Sequence, residues 1–471
     1  MTSRDGAAAP ASAFGVWRLV IVVAGGLGIL QSTQGLGLTK LAYLAVASVA
    51  FAASVRAIWG HRDREMFRAA RPWFIASGVL VALIAISLPV ALAHGTPITQ
   101  WLRDAATYGL FAAAPVFALD AAASMRKGLL LGLTVAFALL GALSFAISWI
   151  SLRNLAVLPI DQLVLPTVSL PTVLFVVCIA AAILDQPRRI AWIVLGGTAF
   201  AVFLISGTRS TLFILVAVPV LVALAGRARL KSSAVASVGV AIVAAVLVVG
   251  VQAAFARSNV ALPPPIDSGP IATTPIGSNG GGAGSPPPGI SPGPEPSPGA
   301  TPGTSASPSP TQRPAPNPDA NLVRRIQDFL SSPERDGSFR ERVTQYGLAW
   351  DIFVGSPLIG SGLGHPFTWT RLDGTSTTDL TADTPLVLPA KLGIAGLVWL
   401  TIVAIVWLRF ARRLRQAGLN LPGLVMGGWA AALVGLAWTG FSVEDKGFSF
   451  AVMLILSLAF IEIEAVKVQP G

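Results

Sequence analysis

Trp73 to Ala93 reads WFIASGVLVALIAISLPVALA, a run of 21 residues with no ionisable side chain. Wound as an α-helix at 1.5 Å per residue, such a run is about 31 Å long, enough to cross a hydrocarbon core about 30 Å thick. Its hydrophobicity is continuous where a barrel strand would alternate, so a helix that satisfies its own backbone groups is expected. Comparable windows recur. They stand near Phe14 to Leu30, Leu36 to Val55, Trp73 to Ala93, Ala105 to Ala123, Gly128 to Ile150, Leu163 to Leu184, Ile190 to Ser206, Leu212 to Ala225, Ala234 to Ala254, Pro385 to Leu408, Pro422 to Phe441 and Phe448 to Ala465. The expected fold class is all-α: a polytopic membrane protein of about 12 transmembrane helices, with a large extracytoplasmic loop between the ninth and tenth.

The whole chain agrees with that window. Of its 471 residues 54% are hydrophobic and 12% charged, and the mean hydropathy is +0.71, too apolar for a soluble enzyme of this length. No small-x-small cleavage site follows Leu30 and another span comes at once, so the first window is not expected to be a removable signal peptide. The net charge of +11 would suit nucleic acid, but its distribution argues against that partner. The basic residues cluster in alternate short loops: Arg56, Arg62, Arg64, Arg68 and Arg71; Arg126 and Lys127; Arg188 and Arg189; Arg227, Arg229 and Lys231; Arg409, Arg412, Arg413 and Arg415. The positive-inside rule makes these loops cytoplasmic, and an even span count puts both termini there, in a multi-pass protein of the cell (inner, cytoplasmic) membrane. Cys178 stands alone in an apolar span and is read as packing filler. His61, His94 and His365 have no metal-ligand spacing, so neither a metal nor a cofactor is expected.

Four regions follow. Residues 1–254 carry the first nine spans, and residues 385–471 the last three. Between them, 255–320 is a Pro, Gly and Ser-rich extracytoplasmic tract without apolar periodicity, expected to be disordered. Residues 321–384 regain helical spacing at Val343, Tyr346, Leu348, Trp350, Ile352 and Phe353, which predicts one or two short helices packed on the outer mouth of the bundle.

Against this apolar background the polar residues stand out. Arg209 lies in SGTRST, Ser206 to Thr211, at the outer face where the positive-inside rule disfavours a cation; it either faces substrate or anchors the span. Arg340 and Arg342 in SFRERVTQYGLAW are two residues apart on an expected helix, so at most one of them faces a site and both suit a solvated charge run. Gly360, Gly362 and Gly364 in SPLIGSGLG form a GxGxG run with no preceding strand, which reads as a tight turn and not as a dinucleotide loop. Asp383, two residues before Pro385, is either a cap of the tenth span or an acid or base of a site. Glu444, Asp445 and Lys446 read as a solvated hairpin, and the ionisable residues deep in the spans are few, such as Asp120, Glu462 and Glu464 near cytoplasmic ends.

From about Ile190 to Leu400 the chain resembles the O-antigen ligase and polymerase family, the Wzy/WaaL-like membrane glycosyltransferases. SGTRSTLFILV is similar to that family's small-residue and Arg motif. FRERVTQYGLAWDIFVGSPLIGSGLG is similar to its segment in which an Arg precedes an amphipathic helix and a Pro-Leu-x-Gly-x-Gly turn, and ADTPLVLPAKLGIAGL to its re-entrant motif ending in Gly393 and Gly396. Where ligases of the family carry a His-Asn pair, this chain has Ala382 and Asp383, a departure nearer to the polymerase members. The resemblance implies a polyprenyl-diphosphate-linked glycan donor and a glycan or cell-envelope acceptor. It implies Arg209, Arg342 and Asp383 as catalytic residues, with Arg340, Gly360 and Gly362 binding substrate. The chain has no Asp-x-Asp motif in its outer loop, and arginines would meet the leaving diphosphate through paired charge-assisted hydrogen bonds. A transporter or flippase of lipid-linked glycan, and a non-catalytic envelope scaffold, are the rival readings; the first predicts ionisable residues lining a path through the spans.

Overall fold

The computed structural model describes residues 17–19, 38–60, 62–154, 168–184, 186–206, 218–220, 230–257, 337–370, 375–438, 444 and 447–467. Among these the order is α1 (Leu38–Trp59), α2 (Glu65–Ala93), α3 (Ile98–Ser124), α4 (Lys127–Asn154), α5 (Ser169–Ile183), α6 (Arg189–Ser206), α7 (Leu230–Arg257), α8 (Gly337–Gly355), β1 (Phe367–Thr370), β2 (Ser376–Asp379), α9 (Val387–Gln416), α10 (Asn420–Trp438) and α11 (Phe448–Lys467). Helices stand at the second to seventh and at the ninth to twelfth expected windows. The first and eighth windows fall largely outside the described residues, as do Arg209 and the Pro-rich tract.

Four of these segments are long and apolar enough to cross a membrane: α2, α3, Lys127–Ser144 of α4, and α9. Shorter apolar stretches lie in α1, α5, α6, α7 and α10. Large apolar side chains such as Ile75, Val246 and Val434 point outward and are exposed. In water such a surface would be costly; against lipid tails it is the expected face. The molecule is mostly helical and membrane-embedded.

The bundle is organised around α5, every residue of which is buried. It can be apolar on all sides because α4, α6, α7, α10 and α11 surround it. Phe175, Phe200, Trp429 and Phe460 fill the main core there. A second packing centre joins α3 to α11, α2 and α1.

Ion pairs and ring contacts sort the helix ends onto two sides. On one, Arg18 binds Asp120 with both Nε and Nη2 (2.9 and 2.8 Å), Lys127 meets Glu462 at 2.5 Å, and Arg64 lies 3.9 Å from Glu464. The Trp73–Trp407 and Phe410–Phe460 contacts bring the C-terminal half of α9, with Arg412, Arg413 and Arg415, to that same basic side. On the opposite side, α8 and an antiparallel hairpin lie at the start of α9, and the turn ending in Gly364 meets the start of α3. Among the described residues one helix stands there with a hairpin that the sequence reading did not anticipate, pairing Phe367 with Asp379 and Thr370 with Ser376. Phe367 and Trp369 turn inward while Thr368 and Thr370 turn out, the alternation of a half-buried strand. Phe367, Trp369, Ala349 of α8 and Val387 and Ala390 of α9 form a small core of their own.

Candidate functional site at the loop-side mouth

Helix α9 is broken close to its start. Gly393 has φ 62° and ψ −152°, a conformation that side-chain-bearing residues avoid. A break inside a membrane segment frees backbone groups that lipid cannot satisfy. The segment from Ser356 to Gly364 supplies the partners: Ser361 N–H donates to Ala390 O (3.0 Å), Gly362 N–H to Lys391 O (2.9 Å), and Ile394 N–H donates back to Pro357 O (2.7 Å). The glycine run makes so close an approach feasible. A Cβ on Gly360 would lie 2.3 Å from the carbonyl carbon of Lys391, and one on Gly362 2.6 Å from Ala91 N. The amides of the two glycines proposed for substrate binding therefore donate within the chain, Gly360 N–H to Ser356 O and Gly362 N–H to Lys391 O.

Directly beneath the break sits Lys391, wholly buried. An ammonium has three protons to donate, and here each has an acceptor: Asp104 Oδ2 at 2.5 Å, Glu444 Oε1 at 2.6 Å and the carbonyl of Leu380 at 2.7 Å. The same Asp104 oxygen accepts from Gly364 N–H (2.8 Å), and Glu444 Oε1 accepts from the Tyr108 hydroxyl (2.6 Å). Lys391 Nζ also lies 5.7 Å from the centre of the Phe367 ring. One side chain thus ties together α3, the glycine turn, the exit of the hairpin, the start of α9 and the segment before α11. Two sequence expectations are corrected here. Glu444 is not part of a solvated hairpin, since its side chain is 6% exposed and bound to Lys391, while Asp445 and Lys446 lie outside the described residues. Nor do the ionisable residues within the expected spans stand only near the basic helix ends, since Lys391 is buried on the loop side.

Above this cluster, α8 presents its polar residues in different directions. Glu341 accepts from Trp369 Nε1 (3.0 Å), and Gln345 Oε1 accepts from Asp383 N–H (2.7 Å), fixing α8 to the hairpin and to the start of the re-entrant segment. Asp383 is thereby held beside Tyr346, which also hydrogen-bonds Thr384 and feels the charge of Arg342. Burial holds the Tyr346 phenol above its ordinary value of 10.0 and Asp383 acts in the same direction; the Thr384 bond and the Arg342 charge pull it down. The charges of two of the sequence candidates, Arg342 and Asp383, therefore both act on one tyrosine. Arg340 is exposed elsewhere on the helix, and Arg209 is outside the described residues. The side-chain hydrogen bond at the start of α9 comes from Thr384, whose Oγ1 accepts from Leu386 N–H (3.1 Å). Nearby, burial holds His365 below its ordinary 6.5, and the charges of His94 and Lys391 add to that effect.

A half-exposed guanidinium, a carboxylate and a phenol at the mouth can bind an anion and hold a hydroxyl. The cluster around Lys391 is closed and keeps that mouth in shape. Asp104, Lys391 and Glu444 escape a sequence search because their contacts span 287 and 53 residues. The available signal was an isolated charge inside an apolar run, VLPAKLGIAG, and Asp104 one helical turn before Tyr108. No known protein family matches the chain, and no curated protein is significantly similar to it.

Proposed function

We propose that this protein is a membrane glycosyltransferase that polymerises or ligates glycan carried on a polyprenyl diphosphate, at the extracytoplasmic face of the membrane and without a metal. The observation that carries the reading is that the charges of Arg342 and Asp383 both act on Tyr346, which hydrogen-bonds Thr384 just ahead of α9. The acceptor hydroxyl attacks the anomeric carbon, its proton passes to Asp383, and the anomeric carbon–oxygen bond breaks with inversion. The electron pair leaves on the polyprenyl diphosphate. Charge therefore grows on the leaving oxygen, where Arg342, with Arg209, stabilises it through guanidinium hydrogen bonds. The loop side is then extracytoplasmic, and the basic side carrying Arg64, Lys127 and Arg413 cytoplasmic.

One observation favours the transporter reading instead: charges are buried between membrane helices at Lys391, Asp104 and Glu444. Their position weighs against it. Asp104 and Lys391 lie in the first two turns of α3 and α9, away from the midplane, and the donors of Lys391 are all engaged. Proteoliposomes holding the purified protein and a polyprenyl-diphosphate glycan separate the readings. New glycosidic bonds with release of polyprenyl diphosphate are expected. Movement of the donor between leaflets without new bonds would establish the transporter, and neither would leave the scaffold.

A further inference from the structure

Helix α8 is too polar to span a membrane, with Arg340, Glu341, Arg342 and Asp351 among its residues, yet one side of it is apolar and is not covered by the other described residues. Val343, Gly347, Trp350 and Val354 recur at the spacing of a single helical face, and Val343, Trp350 and Val354 are each more than half exposed. The helix already has a protein-facing side, where Gln345 and Ala349 are buried and Leu348 and Ile352 pack against the hairpin core. The second stripe therefore faces away from the rest of the described chain. Arg340, Thr344 and Asp351 lie along one flank of it.

What covers the stripe is indicated by where it leads. Past Gly355 it continues into Leu358 and Ile359, also more than half exposed. These two residues are clamped against α9 well inside its first turns: a Cβ on Gly393 would lie 2.5 Å from the carbonyl carbon of Leu358, and Ile394 N–H bonds Pro357 O. Ile394, Leu397 and Val398 follow on the same helix and are exposed in their turn. The apolar surface of α8 is thus continuous with the lipid-facing surface of a helix long and apolar enough to cross the bilayer.

We infer that α8 is an interfacial helix, its Val343–Trp350–Val354 stripe covered by the acyl chains and glycerol region of the loop-side leaflet. Trp350 suits that boundary, since tryptophan concentrates where an apolar ring can meet lipid and its N–H the headgroups. Arg340 and Thr344 then lie at headgroup level. The inference does not rest on the glycosyltransferase reading. If both hold, Arg342 is kept at the depth where a lipid diphosphate resides.

The test is spin labelling of the full chain in phospholipid vesicles. Single cysteines replace Val343, Trp350 and Val354 on the stripe, and Arg340, Thr344 and Asp351 on the polar flank, with the buried Cys178 left in place as a background that does not label. Collisions with dissolved oxygen, which concentrates in lipid, should exceed those with a water-soluble nickel chelate at the three stripe positions, and the ratio should invert at the flank. Val343→Cys and Val354→Cys keep the test intact should Trp350→Cys not fold. Nickel contact at the stripe equal to that at the flank would put this face in water. Low contact with both reagents would mean that protein covers it, a second copy or residues 258–336, and either result overturns the inference.

Discussion

A lysine in an apolar interior keeps its charge only when every proton it offers is taken, because desolvating an unpaired ammonium costs several kcal/mol. Lys391 meets that condition, and its removal exposes the opposite problem: two carboxylates, Asp104 and Glu444, left facing one another without a cation. Lys391→Met should lower the stability of the detergent-solubilised protein by about 3 to 5 kcal/mol. The triple variant Lys391→Met, Asp104→Leu, Glu444→Met, which removes the charges together, should recover most of that loss. Thermal unfolding followed by Trp fluorescence reads both. An unchanged midpoint in the single variant would show that the cluster is not a structural tie. Arg18 and Asp120 repeat the same logic on the basic side, where Ser54 and Ser124 fill the remaining acceptor sites of the carboxylate.

At the scale of the element, the break in α9 and the glycine turn are one device. The helix gives up its own hydrogen bonds at Gly393, and the turn from Ser356 to Gly364 replaces them. Gly362→Ala should therefore do more than restrict a loop. Its φ of 86° alone costs an alanine about 1 to 3 kcal/mol, and the new methyl would overlap the backbone of Ala91. Gly347→Ala is the control: nothing lies within 4 Å of that position and the backbone is helical, so the midpoint should hold or rise slightly. If both alanines left the midpoint unchanged, the turn would not be bracing α9. The sequence shows the elements unevenly. Long apolar runs such as Trp73 to Ala93 are legible because length alone distinguishes a span. The re-entrant segment and the glycine turn are legible as punctuation, though not their mutual hydrogen bonding. The hairpin is hidden because FTWT and STTD are each four residues long, too short for alternation to stand out. The cluster at Lys391 is hidden because nothing local marks a partner hundreds of residues away, whereas Arg342 and Asp383 can be singled out one by one but not tied to Tyr346.

As a whole the molecule is two-sided. Arginine-rich helix ends and their ion pairs occupy one side, and α8, the hairpin and the broken start of α9 occupy the other. An apolar belt lies between them. That asymmetry suits a protein that takes a lipid-linked donor from one leaflet and works on it at the loop-side surface. The account stands or falls on the guanidinium of Arg342 at that surface. Turnover of a polyprenyl-diphosphate glycan should be measured in proteoliposomes sorted by orientation, for the unaltered protein and for Arg342→Ala matched in thermal midpoint. The account predicts glycosidic product only where the loop side meets the donor leaflet, with turnover about 100- to 1000-fold lower in the variant, the loss expected when one transition-state donor is removed. Equal turnover with and without the arginine, or product formed from the basic side, would contradict it.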